Sequence, residues 1–209
     1  MVRDAQSEAR YQEVRDQLAQ ELEGTSSASS LPDGAIAWLT VAGTSIDYPV
    51  AEAWEENPNY YLSHDLWGGE SRLGCPYLDW RCGKRARHNL IYAHHVGSTD
   101  LQFSPIADAW QQASFDTIGP ATLTEKDGNT TYLPCLALRV DESYQGIQKF
   151  EFSDQPIDDW LSTLLEDAQA TSPQAADLCK SARNALTLVT CSSELSGQRE
   201  RTLLIFVEV

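Results

Sequence analysis

Three side chains that can carry out acyl transfer each stand at the end of an apolar, strand-like run. Cys191 ends the run TLVTC, and Arg201 opens the next apolar run ten residues later. Far upstream, the run NLIYA leads directly into His94 and His95. A cysteine thiolate is a nucleophile, and a nearby imidazolium favours the thiolate and can later donate its proton to a leaving amine. An arginine and a backbone N–H at a strand end can hold a carbonyl oxygen as it becomes anionic.

Each of these residues also has a simpler interpretation. A single cysteine at a strand end is more often a small buried side chain than a nucleophile. His94 and His95 could bind a metal, but no second ligand cluster at suitable spacing accompanies them. Arg201 could be an ordinary surface residue. The joint occurrence of the three types favours catalysis, so a metal-binding surface protein is the weaker alternative.

Composition limits the classes of function. The chain has 209 residues, a net charge of −16 and 42% hydrophobic residues. These values suit one folded domain and exclude nucleic-acid binding through the overall field. No run approaches the ~18 apolar residues of a membrane span, and the first residues do not form a signal peptide. Taken by itself, the sequence predicts a soluble chain. A truncated form of a longer, membrane-anchored protein would have the same features.

The amino-terminal segment is predicted to form a separate element. Residues 4–23 favour a helix because Tyr11, Val14, Leu18 and Leu22 recur on one face of a charged segment. The serine-rich stretch that follows is typical of a flexible connector. The predicted division of the chain is a helix with its connector, residues 1–30, and a main domain, residues 31–209.

From residue 35 onward the pattern is mostly that of short β-strands. A helix is predicted over 154–168 and a shorter one over 106–113, and the sequence EKDGN at 125–129 predicts a hairpin turn. Many short strands with few helices indicate a closed or sandwiched β fold. The predicted strands cover residues 35–41, 46–50, 76–80, 89–93, 117–124, 130–140, 186–190 and 202–209.

The five cysteines fit one reactive thiol with up to two disulfides. If Cys191 is the free thiol, the other four are Cys75, Cys82, Cys135 and Cys179, and three pairings are open to them. Cys75 and Cys82 flank a short segment and form the most plausible local pair. Five reduced cysteines, mostly buried, are an equally good interpretation.

Several motifs together resemble those of the sortases, and of class B sortases in particular. TLVTC resembles the family's TLxTC signature, which places the nucleophile at Cys191. IYAHH resembles IYGHH, which places the catalytic histidine at His94, and Arg201 stands where the family arginine opens its last strand. The resemblance covers about residues 35–209. Three further segments of this chain resemble family motifs: residues 37–50 resemble GWIxIPGTxIDYPV, residues 60–65 resemble YYLNHD, and residues 74–81 resemble GSIFMDYR.

The resemblance implies a mainly β fold, a closed sortase-type eight-stranded β-barrel with an amino-terminal helix and an inserted helix before the cysteine strand. It implies cleavage of a carboxy-terminal sorting motif of a secreted protein after Thr, with the acyl group held by Cys191 as a thioester. An amine of a peptidoglycan precursor or a pilin lysine then resolves the thioester, and no metal or organic cofactor is implied. The expected location is the outer face of a Gram-positive cell membrane, through an amino-terminal anchor absent from this sequence.

Two more residues receive supporting roles, and one departs from the family. Thr190 is expected to support the oxyanion site, and Glu194, at a family acidic position, is expected to orient the site. Ala93 replaces the family glycine before the histidine, and its methyl group could shift His94 or restrict the backbone. The alternatives to a transpeptidase are a cysteine peptidase that hydrolyses the thioester and an impaired sortase-like module that only binds peptides.

Overall fold

The computed structural model describes residues 2–24, 31–83, 86–192 and 199–209. Within these ranges the chain forms nine β-strands and four α-helices. The helices are α1 (Val2–Gly24), α2 (Gln112–Phe115), α3 (Ile157–Glu166) and α4 (Ala175–Ser181). The strands are β1 (Ala37–Val41), β2 (Asp47–Glu52), β3 (Tyr77–Leu78), β4 (His88–Tyr92), β5 (Ala121–Glu125), β6 (Gly128–Asp141), β7 (Ala170–Thr171), β8 (Asn184–Cys191) and β9 (Glu200–Glu208).

Eight of these strands form a closed barrel. Their order is β5-β1-β2-β3-β4-β8-β9-β6, and β6 pairs back onto β5 to close the ring. The short strand β7 pairs with β6 outside the ring. Closure pairs the strand edges that an open sheet would expose. The predicted mainly β, eight-stranded barrel is confirmed.

The 14-residue strand β6 closes the barrel because it pairs with different neighbours along its length. Its first residues form a hairpin with β5 in which Glu125 faces Gly128, as the turn sequence predicted. Its later residues pair with β9, and the register shifts between Pro134 and Leu136. Cys135 is therefore the extra residue of a β-bulge, which bends the strand and disrupts the ladder locally.

The core lies inside the barrel, where β8 and β9 are buried most completely. Residues 185–190 of β8 and 202–207 of β9 are all buried, so neither strand alternates between core and solvent. Such continuous burial is typical of strands that are covered on both faces. Cys191 and Arg201 lie where these buried runs end, and both are partly exposed.

Helix α1 packs against the main domain through part of its apolar stripe. Tyr11 is fully buried and Val14 partly so, while the side chains of Leu18 and Leu22 lie outside the described residues, as does the predicted connector. The Tyr11 hydroxyl donates to the Gly74 carbonyl (3.2 Å) and accepts from the Leu66 amide (3.1 Å). Both partners lie in the connection between β2 and β3, so the Tyr11 hydroxyl anchors the helix to the main domain.

The inserted helix is confirmed in α3, which begins after Pro156 and buries Ile157, Trp160, Leu161 and Leu164. The sequence analysis missed α4 and β7, because segments of seven and two residues are too short to show a period.

The helix predicted over 106–113 is wrong. The chain makes a single 3₁₀ turn at Ser104–Ile106 and becomes helical again only at Gln112–Phe115. Between them Gln111 is extended, with φ −89° and ψ 126°, which interrupts any continuous helix. Ile106 and Ala109 are both fully buried, so their three-residue spacing reflects two turns that face the core.

His88 joins β4 to β8 and to α3. Its Nδ1 donates to the Lys149 carbonyl (2.9 Å), and its Nε2 accepts from the Thr187 hydroxyl (2.8 Å). The ring lies 4.6 Å from the ring of Trp160, centroid to centroid. Burial lowers the pKa of His88 to about 4, because the imidazolium would be poorly solvated there. These contacts give His88 a structural role.

We predict that Tyr11→Phe lowers the free energy of unfolding by about 1–3 kcal/mol, because it leaves the buried Leu66 amide and Gly74 carbonyl without their partner. Urea unfolding followed by tryptophan fluorescence measures the change. Tyr144→Phe is the matched control, since the Tyr144 hydroxyl bonds an exposed carboxylate, Asp167. Equal stability of Tyr11→Phe and the parent chain would contradict the anchoring role.

A second prediction concerns pH. Between pH 7 and 4.5 the unfolded chain takes up a proton at His88, while the folded chain largely does not, so the folded state loses stability as the pH falls. The loss from this group is roughly 2–3 kcal/mol. His88→Gln removes that part of the pH dependence, whereas His64→Gln, at a partly exposed position, retains it. Urea unfolding at both pH values compares the three proteins, and an equal loss in all three would refute the assignment.

Candidate active site

The parallel pairing of β4 and β8 brings two of the predicted catalytic residues to the same end of the barrel. Tyr92 pairs with Val189, and the Ala93 amide donates to the Val189 carbonyl (3.2 Å). His94 and Cys191 each follow this last pair by two residues. Because parallel strands end at the same edge of a sheet, both residues emerge there side by side.

Strand β9 adds the third residue. In the antiparallel pairing of β8 with β9, Cys191 lies directly opposite Arg201. His94, Cys191 and Arg201 line one groove with a volume of about 750 Å³. The structure therefore brings together the thiol, the imidazole and the guanidinium that the sequence analysis selected. The other residues that line the groove are Pro58, Asn59, Leu62, Tyr77, Asp79, Trp80, Arg81, Tyr92, Ala93, Glu142, Val189 and Thr190.

Cys191 differs from the other cysteines in its exposure. It is partly exposed at the groove, whereas the other four are buried, and all five are free thiols. The predicted local pair, Cys75 and Cys82, is not bonded. The Cys75 thiol donates to the Pro76 carbonyl (3.4 Å), and the Cys82 sulfur accepts from the Leu90 amide (3.4 Å). Burial raises the pKa of each of these two thiols to about 12, so neither resembles a reactive cysteine.

A backbone carbonyl holds the His94 ring. Its Nε2 lies 2.7 Å from the oxygen of Leu62, at the end of the 3₁₀ turn Tyr60–Leu62. Because a carbonyl only accepts, Nε2 carries a proton, and Nδ1 is the nitrogen that can exchange one. The neighbouring His95 donates from Nδ1 to the Cys191 carbonyl (3.1 Å). The two histidines therefore contact different segments and are not equivalent.

Arg201 is positioned by a residue that the sequence analysis missed. Its Nη2 donates to Glu142 Oε2 (2.8 Å), and its Nη1 donates to the Glu200 carbonyl (3.1 Å). Glu142 directly follows β6, and its other oxygen lies 3.4 Å from Arg199. The sequence contains no signal for this pair, because the two residues meet only through the pairing of β6 with β9.

Thr190 lies next to the nucleophile position, but its side chain is buried. It is 2% exposed, and its hydroxyl has no hydrogen-bond partner among the residues that the structure describes. A buried hydroxyl without a partner is unusual and leaves a donor available beside Cys191. Glu194, the other supporting residue predicted from the sequence, lies outside the described residues.

Ala93 does not need the backbone freedom of glycine. Its side chain is buried, and its amide takes part in the β4–β8 ladder. Among the described non-glycine residues, Gln102 alone has a positive φ, at 53°. Alanine at position 93 therefore does not occupy a backbone conformation that requires glycine.

One wall of the groove is built on a buried carboxylate. Asp79 is 6% exposed and accepts two hydrogen bonds from Arg81, at 2.8 Å from Nε and 2.6 Å from Nη2. These bonds raise the pKa of Arg81. Burial raises the pKa of Tyr92 to about 12, so its hydroxyl, which donates to Asp79 (3.4 Å), stays neutral. Arg81 and Tyr92 thus line the groove while bonded to Asp79, and Trp80 beside them is exposed.

Two features are absent from the described residues, a metal-binding cluster and a membrane-spanning helix. Within the described ranges, no three His, Cys, Asp or Glu side chains are grouped so that they could hold a metal ion. Over the same residues, no helix combines the length and apolarity needed to cross a membrane.

Two sequence relatives of this chain carry the same name, sortase B. Sortase B of Staphylococcus aureus is 24% identical over 175 residues, which is 81% of this chain and 68% of that protein. Sortase B of Listeria monocytogenes is 23% identical over 198 residues, 92% of this chain and 74% of that protein. No protein-family model matches the chain.

Solved structures share the fold. A Staphylococcus aureus sortase B–substrate complex superposes with a TM-score of 0.82 at 19% identity, over 100% of this chain and 99% of that chain. A sortase B complexed with triglycine superposes with a TM-score of 0.80 at 19% identity, over 99% and 98%. Sequence relatives and structural neighbours thus agree: both are class B sortases, and this chain is similar to them in sequence and shares their fold.

Proposed function

We propose that this chain cleaves a sorting signal of secreted proteins after Thr, holds the acyl fragment on Cys191 as a thioester, and transfers it to an amine. The observation that carries the proposal is the position of Cys191. It is the partly exposed cysteine among four buried ones, and it lies opposite Arg201 and beside the strand end that leads to His94. Nucleophile, acid–base group and cation therefore share one groove.

In the first half of the reaction, the Cys191 thiolate attacks the carbonyl carbon of the threonine in the sorting signal. The carbon–nitrogen bond breaks, and His94 gives its proton to the departing amine, which leaves a thioester on Cys191. The proton on Nε2 is engaged with the Leu62 carbonyl, so the proton on Nδ1 is the one transferred.

The oxygen of the attacked carbonyl becomes anionic during this step. The Arg201 guanidinium is the cation in the groove that lies nearest to Cys191 in register, and it stabilises that charge. Glu142 keeps the guanidinium in place through the 2.8 Å bond to Nη2. Thr190 is proposed to add a donor to the oxyanion site, and Glu194, three residues after Cys191 in the sequence, to orient the site.

In the second half, an amine attacks the thioester, His94 takes up the amine proton, and the carbon–sulfur bond breaks to restore the Cys191 thiolate. The acceptor is proposed to be an amine of a peptidoglycan precursor or a pilin lysine. Sortase B structures with a substrate and with triglycine support a peptide donor and an amine acceptor. None of these steps requires a metal or an organic cofactor.

The location follows from the substrates. Sorting signals and cell-wall amines meet outside the cell, so the domain is proposed to work at the outer face of the membrane. An amino-terminal membrane anchor outside this sequence is proposed to hold it there.

We predict that mass spectrometry of the protein incubated with sorting-signal peptides detects an acyl adduct on Cys191, which an added amine such as triglycine converts into a ligated product. Cys191→Ala forms no adduct. His94→Asn slows acylation by roughly 10²–10⁴-fold, because the acid–base group is lost. His95→Asn, at the adjacent imidazole, is the matched control and slows it less than tenfold, because its contact is to a carbonyl.

Other results would assign another function. Free acid instead of ligated product with every amine would indicate a peptidase. Peptide binding without an adduct, from a folded chain with an unreactive Cys191, would indicate a binding module. No observation on Ala93 favours that module, because its φ is not positive and glycine is not required there.

We also predict that Glu142→Ala lowers kcat/KM about tenfold, because Arg201 loses a charged hydrogen-bond acceptor. Glu142→Gln restores most of the rate, since the amide oxygen still accepts. Stability changes little, because the pair is partly exposed. Steady-state kinetics and thermal unfolding measure both quantities.

Glu200→Ala is the matched control for this series. Glu200 pairs with Arg139, so its loss removes a neighbouring ion pair without touching the Arg201 side chain bond to Glu142. An unchanged kcat/KM in Glu142→Ala, or an equal loss in both alanine variants, would show that Glu142 does not position Arg201.

A further inference from the structure

Two buried cysteines outside the groove touch each other. The sulfur atoms of Cys135 and Cys179 lie 3.6 Å apart, and both side chains are almost completely buried. The two residues are 44 positions apart in the chain, one on β6 and one on α4. This separation is near the contact distance of two sulfur atoms, so a small approach would bring them within bonding distance.

Local structure directs both thiols to this point. Cys135 is the bulged residue of β6, where the ladder with β9 shifts register. Its carbonyl accepts the Ser172 amide (2.8 Å), and the Ser172 carbonyl accepts the Ala175 amide at the start of α4 (3.0 Å). The backbone of the bulge therefore anchors the turn that leads into α4, and Cys179 follows on that helix.

The other cysteines do not have such a neighbour in the described structure. Cys75 and Cys82 bond backbone groups in different parts of the barrel, and Cys191 lies in the groove. Cys135 and Cys179 alone form a thiol–thiol contact among the described residues.

We propose that Cys135 and Cys179 are a site of covalent modification, at which a disulfide forms and ties α4 to the barrel. The oxidant is a small or protein disulfide such as oxidised glutathione. One thiolate attacks a glutathione sulfur, releases one glutathione thiol and forms a mixed disulfide. The second cysteine attacks the bound protein sulfur and releases the second glutathione, so two protein thiols are oxidised while one glutathione disulfide is reduced.

The disulfide is expected to raise the stability of the fold without changing the reaction at Cys191. Cys135 lies level with Ile205 and Phe206 of β9, four to five residues from Arg201, a distance of about 13–17 Å along the strand. The bond to the Cys179 sulfur, together with burial, raises the pKa of the Cys135 thiol. Both side chains are almost completely buried, so the folded, reduced pair is shielded from external disulfides and exchanges slowly, and the bridge forms while the chain folds.

Peptide mapping after refolding tests the proposal without any variant. The reduced chain is unfolded, refolded in a buffer of reduced and oxidised glutathione, alkylated and digested with trypsin. We expect peptide 127–139, which contains Cys135, to be linked to peptide 150–180, which contains Cys179. Cys75 and Cys82 are internal controls and should be alkylated. Full alkylation of Cys135 and Cys179 in the refolded chain, or a link of either to another cysteine, would overturn the proposal.

Thermal unfolding provides the second measurement. The bridged chain should melt about 5–15 °C above its reduced form. Cys179→Ala should show no such difference, and its Tm should not depend on the glutathione ratio. Equal Tm values for bridged and reduced chain would refute the stabilising role. Both experiments count thiols or follow unfolding, so neither depends on whether Cys191 proves catalytic.

Discussion

The parallel pairing of β4 with β8 is the constraint on which the rest of the site depends. It joins segments far apart in the chain, since His95 and Cys191 are separated by 96 residues. Parallel strands must be connected by a long crossover, and here the crossover contains the strands and helices that complete the barrel. Because side chains alternate along a strand, a slip of one residue would turn Cys191 or His94 away from the groove. The proposed chemistry thus requires one particular register.

Contacts outside the groove hold that register. At the start of the two strands, the buried imidazole of His88 accepts from Thr187, 99 residues away in sequence. At their end, the Ala93 amide extends the ladder to Val189. On the other side of β8, pairs from Asn184–Glu208 to Cys191–Arg201 fix β9. Since β8 is paired on both edges within a closed barrel, it cannot shift without breaking both ladders.

Local patterns were enough to predict much of this architecture. Alternation and turn residues predicted the strands of the barrel. The strand ends marked Cys191, Arg201 and the pair His94 and His95, and the resemblance to the sortases selected His94 from that pair. Contacts made by distant segments could not be predicted in this way. Glu142 reaches Arg201, and Cys135 reaches Cys179, only after β6 has paired with β9 and α4 has packed on β6. The predicted helix over 106–113 failed for the same reason, because its apolar spacing serves two separate turns that face the core.

The polar groups of the groove are held before any substrate arrives. Leu62 fixes the His94 ring, Glu142 fixes Arg201, and Asp79 fixes Arg81 through paired hydrogen bonds. For the rate of the proposed reaction, such preorganisation matters more than affinity for the substrate in its ground state. Groups that are already oriented need little rearrangement as charge develops in the transition state. It also explains how a chain with a net charge of −16 can present usable cations. Each guanidinium is paired with a carboxylate that determines where it points, so local geometry outweighs the overall field at the site.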